Sequence, residues 1–211
     1  MTSVPVCTII VFAKAPVAGY AKTRLVPALG ADGAANLARR LLETALAAAL
    51  DAAIGPVELC CAPDERHPAF AGVSRIDASR LTGQGDGDLG VRMARAFDRS
   101  LRHDAGAIVI GTDAPALDAA YLREAAAALV SHDAVFGPAL DGGYALVGLR
   151  RPAPALFEGI AWSTPQVMAQ TRERLVRLGL RHAELRALAD IDEPADLRHL
   201  PAAWRPLALQ E

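Results

Sequence analysis

The sequence predicts an α/β fold built on a largely parallel sheet, and three observations predict it. Two runs, Thr8–Phe12 and Ala107–Ile110, are almost continuously apolar and rich in β-branched residues, as strands covered on both faces require. Such runs alternate with longer segments whose apolar residues recur at helical spacing, giving a β-α-β order. The strand ends run into loops carrying glycine, aspartate or basic side chains, where open α/β sheets bind their ligands.

The chain has 211 residues and a hydrophobic fraction of 52%, enough for one sizeable core, so a single domain over 1–211 is expected. A net charge of −2 argues against a broad basic face for nucleic acid. Cations must then act locally. Cys7, Cys60 and Cys61 form no CxxC pair, and the adjacent two should face opposite sides of a strand as buried thiols of a cytosolic protein. The N-terminus shows no secretory pattern and no apolar run nears about 18 residues, so the expectation is a soluble, cytoplasmic protein without a membrane partner.

The first element is the strand Thr8–Phe12, and the loop after it carries Lys14, Lys22 and Arg24, broken by Pro16 and Gly19. Two readings stand for these cations: solvated loop charges, or an anion site, for which the end of a first buried strand is the expected place. No GxxxxGK[ST] occurs, so it is not a P-loop. A long helix with Leu37, Leu41, Ala45 and Ala48 follows, with Asp32 as its expected N-cap. Val57–Ala62 is the second strand, closed by Pro63 and Asp64. Residues 64–80 are poorly periodic, with Val73–Ile76 a further short strand at most.

Next comes the glycine-rich stretch Leu81–Gly90, ahead of a helix with Leu89, Met93, Ala96 and Leu101. Gly85–Gly90 spells GxGxxG, but no strong strand precedes it as a dinucleotide fingerprint requires, and it is not an EF-hand because the twelfth position from Asp86 is Phe97. It is either a nucleotide loop in which Gln84 reads a base, or a helix-capping loop with Asp86 or Asp88 at the N-terminus. The strand Ala107–Ile110 then delivers Asp113 to its end, well before the helix from Leu117 to Val130 that Asp118 caps. A carboxylate there can hold a hard divalent cation, and Mg²⁺ takes only one or two protein carboxylates, completing its shell with phosphate and water.

Val135–Ala139 and Tyr144–Leu149 read as strands around Leu140-Asp141-Gly142-Gly143, as a hairpin turn, a substrate loop, or both. Asp141 could there hydrogen-bond an acceptor hydroxyl. Ser163 or Thr164 is the expected N-cap of a helix ending at Gly179, which accounts for both residues. Ala183–Leu188 is a final strand, followed by Asp190 and Asp192, on one face if extended, so that one could join Asp113 at a metal. The apolar tail Pro201–Leu209 closes the core or covers a dimer surface, leaving monomer and homodimer both open. Five histidines make no HxxxH or HExxH pattern, and no GxSxG appears, which speaks against zinc and against a hydrolase.

Taken together, FAKAPVAGYAKTRL at Phe12–Leu25, QGDGDLGVRM at Gln84–Met93, GTDAPAL at Gly111–Leu117, GPALDGGYALVGL at Gly137–Leu149, WST at Trp162–Thr164 and DIDEPADL at Asp190–Leu197 resemble the bacterial DUF2064 proteins. These are a glycosyltransferase-like group of the nucleotide-diphospho-sugar transferase (GT-A) superfamily. The first segment also looks like the opening of 2-phospholactate guanylyltransferases, and the last like the closing aspartates of sugar-nucleotide and molybdopterin nucleotidyltransferases. The resemblance implies a three-layer α/β/α sandwich with a mixed, mostly parallel Rossmann-like sheet, a nucleotide over the first strand end and Mg²⁺ or Mn²⁺. It implies a transferase using a nucleotide or nucleotide sugar and an acceptor, by glycosyl or nucleotidyl transfer. The residues carried over are Asp113, Lys22 and Asp141 as catalytic, Lys14, Gly19, Lys22, Arg24, Gln84 and Asp88 as nucleotide-binding, and Asp113 with Asp192 as metal ligands, Asp190 competing with Asp192. Two departures stand out: Thr112-Asp113-Ala114 is not a DxD, and the first loop lacks the GxGTR form of the commonest nucleotidyltransferases.

Overall fold

The computed structural model describes residues 6–73 and 76–204. Seven strands form one sheet: β1 (Cys7–Lys14), β2 (Val57–Ala62), β3 (Leu81–Gly83), β4 (Gly106–Ile110), β5 (Ala134–Pro138), β6 (Tyr144–Leu149) and β7 (His182–Glu184). Their order is β3-β2-β1-β4-β6-β5-β7. Only β6 runs antiparallel, to both β4 and β5, so the sheet is mixed and mostly parallel. Four α-helices join it: α1 (Val26–Ala52), α2 (Leu89–Ser100), α3 (Ala119–Ala128) and α4 (Val167–Arg177).

The alternation of side chains along β1 and β2 sorts the core into two layers. Ile9, Val11, Leu59 and Cys61 pack with Leu42 and Leu46 of α1 and Leu122 and Ala125 of α3. Ile10, Phe12 and Cys60 face the other way, onto Met93 and Phe97 of α2 and Met168 and Leu175 of α4. Both faces of the central strands are thus covered, and the adjacent cysteines do point to opposite faces. A third cluster ties the chain's two ends together: Leu25, Leu37 and Leu41 bury Ile191 and Leu200.

Several boundaries move. Helical geometry starts at Val26, through Pro27, and breaks at Gly30 (φ 67, ψ 169), because a first turn forms around the proline before the long apolar pattern takes over. Asp118 caps α3, accepting from Tyr121 N at 2.8 Å. The last strand is shorter than Ala183–Leu188 and begins one residue earlier; Leu188 meets the sheet only as an isolated bridge to Ala139. The segment Val73–Ile76 falls partly outside the described residues, and neither Val73 nor Ile76 is in a strand. In the apolar tail, Trp204 packs with the third cluster under the Arg40 guanidinium, 4.2 Å from its ring centroid; residues 205–211 lie outside the described residues. No described helix is long and apolar enough to cross a membrane.

Candidate active site

The chain goes from β1 through α1 to β2 on one face, then from β3 through α2 to β4 on the other, and β4 pairs with β1 on its free side. The strand order therefore reverses between β1 and β4, and the crevice at their carboxyl ends is the place where such sheets bind ligands. Lys14 ends β1, Gln84 follows β3, Gly111–Asp113 follow β4, and Tyr144 opens the antiparallel β6, so all four stand at one edge of the sheet. They line a cleft of two chambers, about 360 and 450 Å³, that share Gly111, Asp113, Tyr144, Ser163 and Asp192.

Lys22 bridges the switch point. The loop after β1 is anchored where Ala15 N donates to Ala62 O at 2.8 Å, and it ends with Lys22 in the left-handed region (φ 52, ψ 39) before a 3₁₀ turn over Thr23–Leu25. Leu25, fully buried, pins that turn to the third cluster. The backbone thus drives Lys22 inward, its side chain only 7% exposed. Its Nζ donates to Asp113 Oδ1 at 2.6 Å, Asp192 Oδ1 at 2.9 Å and the Ile191 carbonyl at 2.5 Å. Burial alone would lower the ammonium's pKa, but the two carboxylates outweigh it and the net direction is up, so Lys22 stays charged. The contact is closed by Ile191 N, which donates to the Asp113 carbonyl at 2.9 Å.

The other predicted residues separate. Arg24 is on the rim, 60% exposed, paired with Asp192 at 3.4 Å and Glu193 at 3.8 Å. Lys14 is exposed and lines the first chamber, without an ion pair among the described residues. Asp192 shares Lys22 with Asp113, whereas Asp190 does not. The Asp190 carboxyl lies in the second chamber and is pushed up to about 6, first by burial and next by the neighbouring Asp141. Asp141, at the tip of the β5–β6 hairpin, also lines that chamber, its Oδ1 accepting from Gly143 N at 2.8 Å.

The three other positions are placed differently. Gly19 is an exposed turn residue at φ 77, lining neither chamber. Asp88 caps α2, accepting from Val91 N at 2.9 Å, and it too lines neither chamber. Gln84 does line the first chamber, but its amide nitrogen is committed to the carbonyls of Ala13 at 3.3 Å and Cys60 at 3.0 Å. Only its Oε1, which accepts from Arg92 at 3.4 Å, is left to meet a ligand.

Ser163, Tyr144 and Trp162 were not singled out by the sequence, although WST was part of the resemblance. Capping accounted for Ser163 and hid it. The structure corrects that reading: α4 begins at Val167, its N-cap position is Gln166 with no side-chain cap, and Ser163, in the left-handed region at φ 62, lines both chambers. Thr164 Oγ1 donates to Ala161 O at 2.7 Å, closing the turn before the helix. Tyr144 and Trp162 meet edge to face, centroids 6.3 Å apart at 87°, and both the phenol oxygen and the indole nitrogen are buried. Burial pushes the Tyr144 phenol well above its ordinary value.

Among the described residues no group of three or more His, Cys, Asp or Glu is placed to hold a metal. The pair Asp113 and Asp192 nevertheless fits a hard divalent cation. Both offer carboxylate oxygens, and both already converge on one positive point, the Lys22 ammonium; the remaining positions would fall to phosphate and water, as Mg²⁺ prefers.

With this strand order and a switch-point crevice in which one buried ammonium joins two carboxylates, the chain has the nucleotide-diphospho-sugar transferase fold. Comparison with known proteins agrees. The family model "Uncharacterized protein conserved in bacteria (DUF2064)" matches residues 27–164, and the chain belongs to that family. No curated protein matches it. Among solved structures, a candidate nucleotide-diphospho-sugar transferase from Desulfovibrio desulfuricans G20 is 30% identical with a TM-score of 0.86, the match covering 94% of this chain and 87% of that one. Two others share the fold. 4-Diphosphocytidyl-2C-methyl-D-erythritol synthase from Anaerococcus prevotii DSM 20548 is 9% identical with a TM-score of 0.65, covering 96% of this chain and 100% of that one. Glucosyl-3-phosphoglycerate synthase from Mycobacterium tuberculosis, solved with Mg²⁺ and uridine diphosphate, is 10% identical with a TM-score of 0.51, covering 90% and 73%.

Proposed function

We propose that the protein is a metal-dependent transferase using a nucleoside diphosphate sugar, and that it transfers the sugar to an acceptor. The observation that carries this reading is the bridge at the switch point: one buried ammonium, Lys22, held between Asp113 after β4 and Asp192 from the C-terminal segment. Asp113 and Asp192 would hold Mg²⁺ or Mn²⁺, which when bound supplies charge neutralisation for the leaving diphosphate. Lys22 fixes both carboxylates and places its own charge beside the diphosphate, while Lys14 and Arg24 add exposed charge at the rim. In the transfer the bond from the anomeric carbon to phosphate oxygen breaks and the nucleoside diphosphate leaves with the electron pair. The acceptor oxygen forms the new bond, and its proton passes to Asp141, whose orientation the Gly143 N–H sets.

A second reading is nucleotidyl transfer from a nucleoside triphosphate, with pyrophosphate as the product. It is favoured by Gly111-Thr112-Asp113-Ala114, which offers one carboxylate where DxD glycosyltransferases carry two. The test is a melting screen of UDP- and GDP-sugars and of nucleoside triphosphates, with and without Mn²⁺, followed by product analysis. A bound nucleotide at about 100 times its Kd should stabilise the fold by roughly 2.7 kcal/mol. Release of nucleoside diphosphate supports the leading reading, and pyrophosphate the second. Asp113→Asn should keep the fold and lose turnover by about 10²-fold or more. Absence of stabilisation by every nucleotide would sink both readings.

A further inference from the structure

The cleft is electrostatically two-sided. In the first chamber Lys14 stands exposed with no ion pair among the described residues, above an apolar floor that includes Phe12 and Met93. In the second, the cationic side chain is Arg24, and its guanidinium is already taken by Asp192 and Glu193. Lys22 is likewise spent on Asp113 and Asp192. Asp141 and Asp190 line the same chamber, and neither has an ion pair among the described residues.

Apart from the metal that Asp113 and Asp192 would hold for the diphosphate, no unpaired cationic side chain among the described residues lines the second chamber to receive a phosphate or carboxylate, while two carboxylates remain to repel one. Half-enclosed like charges are screened far less than they would be in open water. The rest of the wall suits a polyol. The perpendicular rings of Tyr144 and Trp162 present apolar surface, their polar atoms being buried, and the uncommitted carboxylate oxygens can accept hydrogen bonds from hydroxyl or ammonium groups.

We propose that the second chamber is the acceptor subsite and that it selects a polyhydroxylated acceptor, a sugar or polyol, that carries no anionic group and can carry an amine. The proposal rests on the transferase reading above. It orients the cleft, with the anionic nucleotide toward Lys14 in the first chamber and the acceptor toward Asp141 and Asp190. It also runs against a phosphorylated acceptor, which the likeness of the first loop to 2-phospholactate guanylyltransferases would have suggested.

The experiment uses the full chain loaded with Mn²⁺ and whichever nucleotide stabilises it most in the melting screen. Binding of D-glucosamine, D-glucose, D-glucose 6-phosphate and 3-phosphoglycerate is then measured by titration calorimetry. The expected result is that glucosamine or glucose binds at least tenfold more tightly than glucose 6-phosphate. The Asp141→Asn/Asp190→Asn double variant should narrow that ratio by tenfold or more, its nucleotide-induced melting shift serving as the control for folding. A preference for either phosphorylated probe, no binding of the two non-phosphorylated probes, or an unchanged ratio in the double variant would overturn the proposal while leaving the transferase reading intact. If no nucleotide shifts the melting point, it is the transferase reading that fails first, and the acceptor assignment falls with it.

Discussion

At the scale of single residues, position in the fold separates side chains that look equivalent in sequence. Lys14, Lys22 and Arg24 fall within eleven positions, yet one is an exposed strand end, one is buried between carboxylates and one is on the rim. Their ranking depends on Asp113 and Asp192, some 90 and 170 positions away, so no local spacing could supply it. Gly142 is the opposite case. The Asp-Gly-Gly signal predicted positive φ or close approach of backbone, and Gly142 shows both: φ is +93, and an added Cβ would lie 2.2 Å from the Pro165 carbonyl oxygen. That contact seats the hairpin tip bearing Asp141 against the start of α4, where Met168 N donates to Gly142 O at 2.9 Å. Gly142→Ala should therefore cost about 2–4 kcal/mol of stability in urea denaturation, through combined backbone strain and overlap. A cost below about 0.5 kcal/mol would mean that the tip is free to move.

At the scale of elements, legibility follows length. The strands of five or more residues and all four helices carry enough apolar pattern to be read, to within a few residues at their ends. The three-residue strand β3 carries none: it is recognisable only because Leu81, Thr82 and Gly83 pair with Leu59, Cys60 and Cys61. The edge strand β7 is similarly short; it pairs in parallel with β5, and a side-chain pair with α4 adds to that hold. Arg172 grips Glu184 through two hydrogen bonds of 2.7 Å, and chiefly for that reason the Glu184 carboxyl lies below its ordinary 4.5. A carboxylate so depressed contributes stability that is present above pH 4.5 and disappears as the pH falls through its lower, folded-state value. Glu184→Gln should consequently cost about 0.5–1 kcal/mol at pH 7, a modest figure because the pair is partly exposed. Urea titrations of both proteins should converge in acid, and a gap that persists below pH 3 would show that the glutamine acts through packing.

For the whole molecule, the sequence discloses the α/β alternation and the hairpin, but not where the hairpin inserts. That β6 lies antiparallel between β4 and β5 is decided by which apolar faces find cover, a tertiary choice with no local signature. The same holds for the joining of the two ends of the chain, on which the site depends. Ile191 is fully buried against Leu25, Leu37 and Leu41, its carbonyl accepts from Lys22, and its N–H donates to the Asp113 carbonyl. One apolar side chain thus sets the register of Asp192 against the loop after β1. Ile191→Ala should destabilise the fold by about 2–4 kcal/mol, the usual range for truncating a buried aliphatic residue. Leu46→Ala, in the C-terminal half of α1 and in the core layer that α1 shares with α3, should cost a similar amount. The two should part company on ligand binding: Ile191→Ala should weaken the nucleotide-induced melting shift, because Asp192 and Lys22 lose their common anchor, while Leu46→Ala should leave it in place. Equal losses of the shift in both variants would mean that the site senses global stability alone, and that the C-terminal segment is a cover for the core without a part in positioning charge.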